Sequence, residues 1–165
     1  CIRDRATPKN VHRIDVTTAH EMWQASLESA VKNSIFIGCA AVADYRVAEV
    51  ADQKIKKTND NDELSLKLVK NPDIIASVAS LEKDRPFVVG FAAETQNVAE
   101  YAKSKLQRKN LDMICANDVS GGQVFGQDQN ALQIFWKTGE KVLPLADKNK
   151  LAEVLVTEIV AHYHK

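Results

Sequence analysis

Apolar positions along this chain fall into short continuous runs, separated by stretches in which they recur at helical spacing. Four runs read as buried strands: "VHRIDV" (11–16), "SIFIGCAAV" (34–42), "PFVVGFAAE" (86–94) and "LDMICAND" (111–118). They are partly β-branched and lack clean alternation, as expected of strands covered on both faces of a parallel sheet. Helical patterns lie between and after them. "TTAHEMWQASLESAVKN" begins with Thr17 and Thr18 as caps and turns Met22, Leu27, Ala30 and Val31 toward one side. "NPDIIASVASLEK" opens with Asn71 as N-cap and Pro72 at the first helical position. "NVAEYAKSKLQRKN" runs directly into the fourth strand, and "DKNKLAEVLVTEIVAHYHK" closes the chain as an amphipathic helix.

Two segments depart from the alternation. "DELSLKLVK" (62–70) has Leu64, Leu66 and Leu68 at period two and predicts a half-buried strand. "NALQIFWKTGEKVLPL" (130–145) predicts a hairpin turning at Thr138-Gly139. The fold expected is α/β: a Rossmann-like three-layer arrangement with right-handed connections, a mostly parallel sheet, helices on both faces and a β-hairpin extension. Residues 1–10 read as an irregular lead-in to a single domain over 11–165.

Composition narrows the function classes. The chain has 165 residues, 45% of them hydrophobic, with 22 basic against 22 acidic side chains. That suits one domain with a substantial core and gives no reason to expect a nucleic-acid partner. No apolar run approaches the roughly 18 residues of a membrane span, and no signal peptide is visible, so a cytoplasmic location is expected. Cys1, Cys39 and Cys115 form no CxxC pair, which also fits a reducing compartment. None of the 6 glycines falls in GxGxxG or GxxxxGK spacing, so neither common phosphate fingerprint is present. The first strand and glycine-rich turn of a doubly wound fold are therefore expected to be missing. HExxH, GxSxG and zinc-type His/Cys spacings are likewise missing from the sequence, and the metal-site assignment is left open.

Candidate chemistry lies at the strand ends, where open α/β sheets bind ligands. The ends read "GCAAVAD", "GFAAET" and "CAND": small residues, then a polar or acidic one. Small side chains leave space for a planar ligand, although tight helix–sheet packing selects them too. Asp44 suits ligand hydroxyls or a cation, and equally a turn or cap. Lys54, Lys56 and Lys57 in "KIKK" offer mobile positive charge for phosphoryl groups on a polar loop; the plainer reading is a solvated surface. Lys105 and Lys109 share a helix face with Val98 and Ala102. In simple doubly wound geometry, however, Lys109 falls at the edge away from the crevice.

Taken in order, "GCAAVADYR", "KIKK", "LVKNPDI", "VVGFAAET" and "KNLDMICAND" resemble the bacterial phosphopantothenate–cysteine ligases, and the likeness runs from about residue 12 through "NALQIFW" and "KVLPL" to the end. The resemblance implies a homodimeric ligase of coenzyme A biosynthesis. It would activate the carboxylate of 4′-phosphopantothenate with CTP and Mg2+ as an acyl-cytidylate, then transfer the acyl group to L-cysteine. It implies that Gly38, Cys39, Ala40, Asp44, Asn71, Pro72, Asp73, Ile74, Phe91, Lys105 and Lys109 line the nucleotide, with Lys54 catalytic on a flap. In bacteria such a domain usually follows an FMN-dependent decarboxylase. The family's opening strand, glycine-rich turn and an Asn acting on the acyl-cytidylate have no counterpart in the matching segment, which implies a domain incomplete at its N-terminus. A nicotinamide-dependent oxidoreductase and a non-catalytic oligomerisation module are the competing readings.

Overall fold

The structure is a computed structural model that describes residues 6–56, 64–119 and 128–164. Its centre is β4 (Phe87–Glu94), flanked in parallel by β1 (Ile35–Gly38) and β5 (Met113–Asp118). The hairpin β6 (Gln129–Trp136) and β7 (Gly139–Asp147) adds to β5 in antiparallel fashion, giving the order β1-β4-β5-β6-β7. Pleating sorts the apolar run of β4 into two faces. Val88 and Ala92 meet one core cluster, while Val89 and Phe91 meet the other. In β5, Ile114 and Ala116 join the first cluster, and Met113 and Cys115 the second.

Helices α1 (Ala19–Ala30), α2 (Ile74–Ala79) and α3 (Val98–Arg108) cover the first face through Ala30, Val78, Ala79, Ala102 and Leu106. Helix α4 (Lys148–Tyr163) covers the second with Leu151, Leu155 and Ile159. The expected three layers are thus present. The cap of α1 is Thr18: its hydroxyl accepts from the Glu21 amide at 3.1 Å, while the Glu21 carboxylate accepts from the Thr18 amide at 3.2 Å. That reciprocal pair is the capping box that Thr-x-x-Glu encodes.

Several expectations are corrected. Residues 11–16 form no strand; Val11 and Ile14 are 54% and 51% exposed. With Val11, Ile14 and Val16 as its only apolar residues, the segment has too little apolar surface to be covered on two faces. The strand expected over 34–42 leaves the sheet after Gly38. The strand expected over 62–70 shrinks to β3 (Leu68–Lys70), paired antiparallel with β2 (Tyr45–Val47); residues 62 and 63 lie outside the described residues. Among the described residues no layer backs this small sheet, and Leu64, Leu66 and Leu68 are exposed rather than half-buried. The β6–β7 turn is Lys137-Thr138, with Gly139 already paired to Trp136. A Cβ on Gly139 would stand 2.8 Å from Trp136 Cζ2, which explains glycine there.

The edge of the sheet where β4 and β5 begin is held by one arginine. Helix α3 ends with Asn110 in the left-handed region (φ 52). The Asn110 amide donates to Gln107 O at 3.1 Å and the Leu111 amide to Leu106 O at 2.9 Å, a Schellman cap. Arg85 then donates to Asn110 O at 2.7 Å, Ala79 O at 2.8 Å and the Asp112 carboxylate at 2.8 Å. This cluster fixes the feet of α2 and α3 together.

Candidate functional site at the strand ends

The clearing begins where β1 stops. Gly38 pairs with Gly90, and a Cβ on Gly38 would lie 2.9 Å from Ile75 Cδ1, so α2 closes on the sheet where side chains are absent. Cys39 and Ala40 follow as exposed residues, and Phe91 is half-buried one position beyond that glycine pair. Burial of the Cys39 thiol itself pushes its pKa up although the residue as a whole is exposed. Burial also pushes the Cys115 thiol, behind the clearing on β5, up to about 12. A thiol held protonated is a poor nucleophile and a poor metal ligand.

The chain then crosses to the start of α2. The Asn71 amide donates to Asp44 O at 2.8 Å, and Asn71 Nδ2 donates to Ala43 O at 2.8 Å. Arg46 Nη1 donates to Asn71 Oδ1 at 3.2 Å and to Lys70 O at 2.9 Å. Asn71 is therefore engaged within the chain at both ends of its side chain and is not the cap of α2. That role falls to Asp73, whose carboxylate accepts from the Ala76 amide at 3.1 Å. Pro72 accordingly precedes the cap instead of opening the helix. Asn71 is the buried polar residue of the core among the described residues, and its hydrogen bonds explain why burial is tolerated.

Lys105 and Lys109 both point back toward this region. Lys105 Nζ lies 2.6 Å from Glu94 Oε1 at the carboxyl end of β4, and Lys109 Nζ lies 2.8 Å from Asp73 Oδ2 at the head of α2. The geometric objection to Lys109 fails because α2 has only 6 residues, on the order of 9 Å of helix. A lysine at the foot of α3 can span it. Lys54 stands apart, exposed on the irregular segment that follows β2; Lys57 lies outside the described residues.

The structure thus brings Ala43, Asp44 and Asn71 together by hydrogen bonds, Gly38 and Gly90 against Ile75, Lys109 onto Asp73 and Lys105 onto Glu94. Phe91 faces the α4 side of the sheet, and Lys54 stays on a loop beside β2. Glu94 and Arg46 received no role from the sequence. Glu94 did occupy the acidic position after "GFAA", a usable signal. Nothing in "DYRV" announced that Arg46 would reach Asn71. Among the described residues no three His, Cys, Asp or Glu side chains converge as a metal cluster, and no helix is long and apolar enough to cross a membrane.

Asp73 makes a pH prediction. Partial burial pulls its pKa up, but the Lys109 ammonium and the Ala76 amide outweigh this and hold it below the ordinary 3.8. A carboxyl depressed in the folded state contributes stability that is fully present above 3.8 and lost as pH falls through the folded value. Asp73→Asn keeps a competent cap but removes the charge. Its stability should therefore fall less steeply with acid than that of the wild type, read from denaturant midpoints taken from neutral pH downward. Parallel acid limbs in the two proteins would contradict the pairing.

A three-layer α/β domain with a mostly parallel sheet, and with two lysines paired to carboxylates at the end of β4 and the head of α2, is the class that this geometry defines. The chain belongs to the family of the DNA/pantothenate metabolism flavoprotein C-terminal domain, whose model matches residues 2–163. It is 71% identical over 159 residues to the coenzyme A biosynthesis bifunctional protein CoaBC of Haemophilus influenzae, covering 96% of this chain and 39% of that protein. The crystal structure of a C-terminal domain of CoaBC superposes with a TM-score of 0.75 at 30% identity, over 94% of this chain and 68% of that one. A Cab2 mutant in complex with phosphopantothenate-cysteine shares the fold at 17% identity, with a TM-score of 0.67 over 90% of this chain and 51% of that one.

Proposed function

We propose that this chain carries the ligase activity of coenzyme A biosynthesis, joining 4′-phosphopantothenate to L-cysteine at the strand-end crevice with CTP as the activating nucleotide. The observation that carries the reading is the placement of Lys105 against Glu94 at the carboxyl end of β4 and of Lys109 against Asp73 at the head of α2, in a family whose bifunctional member is 71% identical here. A fold neighbour holding phosphopantothenate-cysteine gives further support for the substrate class.

In the proposed reaction a carboxylate oxygen of 4′-phosphopantothenate bonds to the α-phosphorus of CTP, and pyrophosphate leaves. The amine nitrogen of cysteine then bonds to the acyl carbon. CMP departs with the electron pair of the broken C–O bond, and the amine loses a proton. Negative charge builds on the phosphoryl centre in the first step, and fixed cations stabilise it. Lys105 and Lys109 meet the phosphates from the α3 side, and Lys54 reaches the reacting phosphoryl group from its loop. Gly38, Cys39, Ala40 and Phe91 accommodate the nucleoside. Asp44 offers a carboxylate, and Asn71, Pro72, Asp73 and Ile74 offer main-chain groups. Mg2+, when bound, neutralises the triphosphate; it needs oxygen ligands, which phosphate oxygens, water and one carboxylate such as Asp44 can supply.

The reading includes 11–165 as the ligase domain, an FMN-dependent decarboxylase in the same polypeptide, a cytoplasmic setting, and a homodimer formed through this domain. Exposed Tyr45, Leu64, Leu66 and Leu68 on and beside the β2–β3 arm supply apolar surface for that contact. The test is assay of the full-length protein with 4′-phosphopantothenate, cysteine and Mg2+, following pyrophosphate and CMP. CTP-dependent release of both is expected, with ATP and NAD as parallel arms. Nicotinamide turnover, or a folded protein that consumes no nucleotide, would overturn the assignment.

A further inference from the structure

We propose that Arg46 is a positioning residue for the nucleotide site, locking the strand-exit segment 43–47 onto the start of α2 through Asn71. The inference rests on the ligase reading for its functional part and on geometry for the lock itself. A single nitrogen, Arg46 Nη1, serves both Lys70 O at 2.9 Å and Asn71 Oδ1 at 3.2 Å. The amide end of the same Asn71 side chain donates to Ala43 O at 2.8 Å, and its main-chain amide donates to Asp44 O at 2.8 Å. Four hydrogen bonds therefore converge on the junction of two segments that are distant in sequence.

Two parts of the site depend on that junction. The Asp44 carbonyl accepts from the Asn71 amide, so the main chain that carries its carboxylate is held against the head of α2. The β2–β3 sheet grows from the same place: Tyr45 pairs with Lys70 and Val47 with Leu68. Lys54 lies on the loop carried by β2. Among the described residues the β2–β3 arm has no layer behind it, and its hydrogen bonds to the head of α2 are made where it joins the core. Arg46 and Asn71 are that joint. Loosening it leaves the main sheet intact but lets Asp44 and the arm wander, and preorganisation of this kind governs nucleotide affinity and turnover.

The experiment uses the full-length protein, with Arg46→Ala, Arg46→Lys, Asn71→Ser and the double variant Arg46→Ala/Asn71→Ser. Hydrogen exchange without ligand is read at the Asn71 and Ala48 amides, which donate to Asp44 O and Lys67 O. Kinetics are read as separate kcat and KM values for CTP. Arg46→Ala is expected to speed exchange at both amides and to raise KM for CTP about tenfold, the scale of a lost charged hydrogen bond. Arg46→Lys should recover part of both effects. The double variant should lose less than the sum of the two singles, because the Arg46–Asn71 bond is common to both while Arg46 also holds Lys70 O and Asn71 also holds Ala43 O. Unchanged exchange overturns the lock. Faster exchange with unchanged kinetics shows a merely structural role, and additive kinetic losses show that Arg46 acts on the ligand independently; each overturns the proposal. A wild type that consumes no CTP defeats the ligase reading and the functional half of the proposal, whereas exchange decides the lock in either case.

Discussion

Lys54→Ala in the full-length protein should lower kcat for CTP-driven amide formation about 100-fold or more while leaving the unfolding midpoint in place. The magnitude follows from the role. Removing one preorganised group that faces charge developing in the transition state costs about 2.7–4 kcal/mol, or 100- to 1,000-fold in rate. The lack of a stability effect follows from the structure, since Lys54 is exposed on an irregular loop and surface substitutions of this kind usually stay within about 0.5 kcal/mol. If Lys54 engages the phosphoryl group only as the bond forms, kcat and kcat/KM fall together and KM for CTP hardly moves. Lys56→Ala separates position from charge. It removes the same charge two residues along and should cost much less. Equal losses in both variants would mean that the loop acts by its summed field. Full turnover in Lys54→Ala would end the catalytic assignment. Lys54→Arg should not restore the wild-type rate, because a planar fork does not replace a compact ammonium at a single phosphoryl oxygen.

Much of the core was legible because buried parallel strands write themselves as unbroken apolar runs. The 86–94 and 111–118 segments needed only their ends trimmed, to Phe87–Glu94 and Met113–Asp118. The Thr18 cap was legible for a local reason: three residues separate it from Glu21, and both hydrogen bonds are made within that turn. The cap of α2 was not. Asn71 and Asp73 are both good cap formers, and the choice between them is made by Ala43 and Arg46, far away in sequence. Lys109 illustrates the same limit from the side of geometry. Its helix does end at the far edge of the sheet, but the shortness of α2 brings the head of that helix within reach. That β1, β4 and β5 end at one edge of the sheet follows from their parallel order, whereas the side-chain contacts made there are tertiary. Periodicity carries no information about such contacts.

Arg85→Ala should cost about 3 kcal/mol, lowering the midpoint of this domain's unfolding transition by about 6–12 °C at the usual conversion for a domain of this size. The guanidinium satisfies the carbonyls of Ala79 at 2.8 Å, Pro86 at 3.1 Å and Asn110 at 2.7 Å, besides the Asp112 carboxylate at 2.8 Å. Alanine removes this donor from all of them, leaving Ala79 O with the Asn110 Nδ2 donor at 3.1 Å, and strands a carboxylate whose side chain is only 19% exposed, with the Val88 amide at 2.7 Å still donating to it. Breaking such a pair from one side is costly because the other charge stays behind. Arg85→Lys keeps a charge for Asp112 but not the fork that reaches several acceptors at once, so its midpoint should fall between the two. Asp112→Asn in the Arg85→Ala background tests the cause directly. Removing the stranded charge should return part of the lost stability, whereas a further drop would show that the carboxylate was not the source of the penalty. The cluster also bears on the crevice at the opposite edge of the sheet. Arg85 grips the carbonyl of Asn110, the residue whose left-handed turn ends α3 immediately after Lys109. A loosened turn lets the root of Lys109 shift more than that of Lys105, which sits four residues, about one turn, earlier in α3 and is paired with Glu94. Arg85→Ala should therefore raise KM for CTP at temperatures well below its own midpoint, and Arg85→Lys less so. A variant that is destabilised but binds CTP normally would separate the foot of the fold from its site, and would place the anchoring of Lys109 in its bond to Asp73 alone.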